Sequence, residues 1–128
     1  MSYYKNMSRP IGTYKKDTQL YADYLDTISN RNSKNKARHI LALFYERSDT
    51  IDSKTQMIAL FCFYLDESGL RQSSIRTYLL ELLKYILFLD SPELLNALYY
   101  CADSSLSDMS HCKLWAKHKP QNLTLPSD

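Results

Sequence analysis

Met57-Ile58-Ala59-Leu60-Phe61-Cys62-Phe63-Tyr64-Leu65-Asp66-Glu67-Ser68-Gly69-Leu70-Arg71-Gln72-Ser73-Ser74-Ile75-Arg76-Thr77-Tyr78-Leu79-Leu80-Glu81-Leu82-Leu83 decides the fold class. It holds two apolar segments separated by a polar turn. The first, Met57 to Leu65, has no polar face, which predicts a helix buried on most sides near the centre of the molecule. Asp52 or Ser53 can cap its start, because a side-chain oxygen there accepts from an otherwise unpaired backbone N–H. Gly69 predicts its end, since glycine tolerates the left-handed conformation just past a helix and Leu70 supplies the accompanying apolar contact. Ser73 or Ser74 opens the second helix, which runs to about Leu89. Its core stripe is Ile75, Tyr78, Leu79, Leu82, Leu83, Ile86 and Leu89.

The same reading extends outward. Upstream, Leu20, Tyr21, Tyr24, Leu25 and Ile28 form one helical face behind a cap at Asp17 or Thr18, and Ser33 offers the cap of a helix over 34–47 with Ala37, Ile40, Leu41 and Phe44 inward. Downstream, Ser91-Pro92-Glu93 is a start signal. The serine caps, the proline lacks an N–H where none is needed, and the acid favours the positive helix end. That fifth helix carries Leu94, Leu95, Leu98 and Tyr99 to about Asp103. A weaker sixth covers Ser107 to Lys117, with Leu106, Met109 and Cys112 roughly in phase. The expectation is a single all-α bundle of five or six helices containing a helix-turn-helix-like hairpin. Residues 1–16 are expected as a flexible basic arm, 17–118 as the helical domain and 119–128 as a disordered tail after Pro120.

Composition narrows the class further. With 128 residues, 45% hydrophobic and 23% charged, the chain suits one globular domain. Two glycines and four prolines are too few for the turns of a β-sandwich or barrel. Gly12 and Gly69 alone cannot build a glycine-rich phosphate loop, which argues against nucleotide-hydrolysing and dinucleotide-binding classes. Charge is uneven under a net +2. Residues 1–38 hold eight basic and three acidic side chains, a balance of +5, while residues 39–112 hold five basic against ten acidic, a balance of −5. From Lys113 onward three lysines and one aspartate add +2. An acidic middle between basic ends suits a polyanion gripped by the ends, or association of opposite surfaces. The polar start lacks the apolar run of a secretory signal, and no segment approaches the length of a bilayer span. Three cysteines, Cys62, Cys101 and Cys112, read as thiols in a reducing compartment, so a cytoplasmic location is expected.

Enzyme chemistry finds little support. His39 lies near a helix start beside Arg38 and reads as solvated or capping. Cys101, His111, Cys112 and His118 lack the C-x₂₋₄-C spacing of a zinc site. Asp66 and Glu67 read as surface charges, and no serine or cysteine sits in a nucleophile elbow. A non-enzymatic protein without metal or cofactor is therefore expected.

The hairpin itself carries the functional expectation. A helix ending at glycine, a short turn and a second helix reproduce helix-turn-helix spacing. Arg71, Gln72, Ser73, Ser74, Arg76 and Thr77 open the second helix with donors for phosphates or base edges, and apolar anchoring residues follow. Any helical hairpin also has a polar turn, so the ordinary hairpin stands beside this reading. Arg31, Lys34, Lys36 and Arg38, at the start of the second helix from the N-terminus, add a cluster suited to phosphate. The phrases Phe61 to Leu70 and Ser74 to Leu89, with their tyrosine-leucine ending, Gly-Leu turn and Ser-Ile-Arg-Thr-Tyr helix ending in Phe-Leu, resemble the helical core-binding domain of tyrosine recombinases. The resemblance spans about 30 residues and implies a small bundle that packs on duplex DNA. No catalytic domain follows, so recombinase activity is not implied.

Apolar residues off the core stripe predict self-association. Leu80, Leu87 and Phe88 with Tyr99 and Tyr100 are the expected dimer interface, unless the segment around Trp115 folds back over them. The leading expectation is a homodimeric, non-enzymatic DNA-binding transcriptional regulator. The alternative is a helical protein-interaction module, an adaptor or inhibitor, that binds no nucleic acid.

Overall fold

The computed structural model describes residues 11–46, 53–102 and 106–126. Among them are six helices and no strand: α1 (Ile11–Asp26), α2 (Arg31–Glu46), α3 (Lys54–Glu67), α4 (Gln72–Leu89), α5 (Pro92–Cys101) and α6 (Lys113–His118). No helix among the described residues is long and apolar enough to cross a membrane.

Helix ends follow local chemistry. Ser53 caps α3, its side chain accepting the Gln56 N–H. Ser91 caps α5 by accepting the Leu94 N–H, with Pro92 in the first turn. Gly69 has φ +74° immediately after the Ser68 cap, as its role in stopping α3 requires. Ser68 closes the same end twice, its hydroxyl donating to the Leu65 carbonyl at 2.7 Å and accepting the Leu70 N–H at 3.1 Å.

Other ends differ from the sequence reading. The cap of α2 is Asn30 and not Ser33: the Asn30 carbonyl accepts the Lys34 N–H and its Oδ1 accepts the Ser33 N–H, both at 2.9 Å. Helix α4 begins at Gln72 behind an extended Arg71, so Ser73 and Ser74 lie inside its first turn. Helix α1 starts at Ile11, inside the stretch expected as a flexible arm, while residues 1–10 lie outside the described residues. Residues 119–126 belong to the stretch expected as a disordered tail, of which 127 and 128 lie outside the described residues. Residues 119–126 lie against α5, where the Asn96 side chain pairs with the backbone of Thr124.

The core gathers around α4, which packs against α1, α2, α5 and α6, while α3 packs mainly on α5. Phe61 of α3 joins Phe44 of α2, perpendicular at 5.7 Å between ring centroids, and Tyr78 of α4, stacked at 6.4 Å. The expectation that α3 is buried on most sides is overturned. It buries Met57, Ile58, Phe61, Cys62 and Leu65, one helical face, and turns the opposite face to solvent. The six helices share a small core, and α3 has too few neighbours to cover its whole circumference.

At the other end of the core α1, α2 and α4 meet over polar side chains. Tyr45 and Tyr85 share a hydrogen bond of 2.6 Å between buried hydroxyls. Glu81, in the middle of α4, is 4% exposed. One oxygen of its carboxylate meets Lys84 Nζ at 3.2 Å and Lys36 Nζ at 3.5 Å, and both lysines keep their other sides in solvent. Burial, with the Glu81 charge adding, pushes the Tyr24 hydroxyl up to about 12.

Candidate functional site

The residues expected to contact DNA do not converge on one surface. On α4, residues five apart point about 140° away from each other around the helix axis. Glu81 and Lys84 face α2 through Lys36, whereas Arg76, five residues before Glu81, lies on another flank of α4. The Ser110 hydroxyl and N–H hold the Asp108 carboxyl below its usual range, and the charges of His111 and Arg76 lower it further. Thr77 donates to the Ser73 carbonyl at 3.0 Å, Ser74 is half-buried, and Arg71, Gln72 and Ser73 are exposed at the helix start.

The α2 cluster divides in the same way. Lys36 lies on the flank that meets Glu81, while Arg38, two residues on, sits about 200° around the helix. Arg38 donates to Asn35 Oδ1 at 2.6 Å. Arg31 is exposed and Lys34 half-buried on the Arg38 flank. Cys101, His111, Cys112 and His118 are not brought together either: among the described residues no three potential metal ligands cluster.

The expected dimer interface is also broken up. Tyr99 is buried, its ring 4.2 Å from Trp115 and its hydroxyl donating to the Trp115 carbonyl at 2.6 Å. Burial pushes this phenol up to about 12. Helix α6 therefore folds back over α5 and takes Tyr99 out of the proposed surface. Leu80 and Leu87 are half-buried against the core, and Phe88 leans on Tyr24 with ring centroids 5.5 Å apart. Tyr100 stays exposed.

Among the described residues, the most exposed aromatic side chain on a helix lies elsewhere, on α3. Phe63 is 64% exposed and Leu60 38%, with Ala59 exposed beside them. Exposed Asp66 and Glu67 follow at the end of the same helix. A continuous apolar run hides this face from sequence reading. A usable signal was the stripe Gln56, Leu60, Phe63, Glu67 at helical spacing, polar at both ends.

No family model, curated protein or solved structure matches the chain.

Proposed function

We propose that the chain is a helical protein-interaction module, an adaptor or inhibitor, that docks its partner on the outer face of α3. The observation that carries this reading is Phe63, a large aromatic side chain held out on a well-anchored helix. Rings of this kind dominate interface energetics because they bury much apolar area with little loss of rotamer freedom. Leu60 and Ala59 extend the apolar patch along one helical turn, and Asp66 and Glu67 border it with negative charge. The chemistry favours an amphipathic helix whose apolar face ends in basic residues. Lys36 is held by Glu81 within the fold, which weakens the case for phosphate as its ligand.

A second reading, the homodimeric DNA-binding regulator, has one observation in its favour. Helix α4 starts at Gln72, and Arg71 at its cap makes no side-chain cap hydrogen bond. Uncapped N–H groups beside Arg71, Gln72 and Ser73 suit a phosphate. One experiment separates the two. The full chain is used as bait in lysate with and without nuclease. The interaction module retains the same protein under both conditions and loses it on Phe63→Asp at unchanged melting temperature. Retention that disappears with nuclease, or that Phe63→Asp leaves intact, overturns the reading.

A further inference from the structure

The C-terminal segment is a stretch of non-helical chain seated against a helix. Asn96 Nδ2 donates to the Thr124 carbonyl at 2.9 Å, and Asn96 Oδ1 accepts the Thr124 N–H at 3.0 Å. A carboxamide offers a donor and an acceptor side by side, so it pairs with both backbone groups of one residue as a neighbouring strand does. Pairing of this kind reads main chain and is indifferent to the side chain it carries. The separation of 28 positions between the partners makes it a tertiary contact rather than a turn.

The seated segment fills its site poorly. A groove of about 680 Å³ runs between it and the N-terminal ends of α3 and α5, with Thr55, Glu93 and Leu95 among its walls. Leu125, next to the clamped residue, lines that groove yet remains 74% exposed. A volume of this size lies within the range that bound ligands occupy. Glu93 is exposed and places a negative charge on the wall.

We propose that this groove binds an extended peptide from another protein, clamped at its backbone by Asn96, and that the chain's own residues 121–126 are the resident competitor. The peptide carries a large apolar side chain one position after the clamped residue, where Leu125 underfills the groove. A basic residue follows to meet Glu93. The site is separate from the outer face of α3 and stands or falls independently of it. Because the resident segment is tethered, it competes at an effective concentration on the order of millimolar, and freeing it exposes the site.

The probe is a synthetic hexapeptide copying residues 121–126 with the changes Leu125→Trp and Pro126→Arg, titrated into isotopically labelled full chain. The expected result is saturable shifts at the Thr55 and Leu95 amides, with accelerated hydrogen exchange at the chain's own Thr124. Thr124→Pro in the chain deletes the clamped N–H and should tighten peptide binding by roughly tenfold or more. Asn96→Ala should weaken it by at least that factor while the melting temperature holds. Binding that ignores Asn96→Ala overturns the clamp, and equal affinity for the Thr124→Pro and unaltered chains overturns the competition. No saturable binding to the Thr124→Pro chain at millimolar peptide overturns the site.

Discussion

Helices α3 and α4 are both rich in large apolar residues, yet α3 leaves Phe63 in water while α4 buries a glutamate. The difference lies in their neighbours. Helix α4 is packed against four other helices, and even its polar position at Glu81 is closed in by α2. Helix α3 rests chiefly on α5, so half of its circumference has nothing to meet. Apolar content tells how much surface a helix could bury. The number of partners decides how much it does bury, and the remainder is available for another molecule.

The sharpest break of this comparison uses two phenylalanines two residues apart. Phe61→Ala removes a ring with no exposed surface from the junction of α2, α3 and α4, and should cost about 3–5 kcal/mol in urea unfolding. Phe63→Ala should fall within about 0.5 kcal/mol of the unaltered chain. Comparable losses for the two would mean that the outer face of α3 belongs to the core.

The α4 side is tested through its buried charge. Changing Lys36 and Lys84 together to methionine strands the Glu81 carboxylate and should destabilise by about 2 kcal/mol, less than for a fully enclosed pair because both ammoniums reach water. Glu81→Met should be neutral or stabilising, since it removes the need to desolvate a charge. A loss from Glu81→Met as large as that of the double lysine variant would contradict this account.

How far the sequence discloses this architecture depends on the range of the interactions involved. Signals within one turn are legible: Gly69 ends α3 in the left-handed region, and Ser91-Pro92 opens α5 with its serine bond in place. Signals that compete locally are less so, and Asn30 takes the α2 cap three residues before Ser33 could. Contacts made across the chain are not written in any local pattern. Nothing in the leucines around Glu81 marks it for burial, and Lys36 is brought to it only by the fold. Nothing local marks Asn96 as a partner of Thr124, which lies 28 positions later. The candidate site suffered most, because a list of cations shows neither which flank each occupies nor which acid stands beside it.

Gly69 sharpens the junction between the two helices. A Cβ added there would meet nothing within 4 Å, so the cost of substitution is conformational. Gly69→Val should destabilise by about 1 kcal/mol or more through its positive φ, and Gly69→Ala by nearly as much. An unchanged melting temperature for both would mean that the turn relaxes freely and does not set the position of α4.

The smallest effect is alkaline. Tyr24 and Tyr99 are held neutral up to about pH 12 in the fold, while an unfolded tyrosine loses its proton near 10. The unfolded state then binds fewer protons than the folded one, so stability is intact below pH 10 and declines between 10 and 12. Phenolate absorbance should show these two groups ionising together with unfolding, and Tyr24→Phe should flatten part of the decline.

The central claim, that the exposed face of α3 is kept for a protein partner, is tested most directly by placing a photoreactive benzophenone side chain at position 63 and, as a control, at position 84. In nuclease-treated lysate the account predicts a discrete protein adduct from position 63 and none from position 84. No adduct from position 63, or the same adduct from both positions, would contradict it.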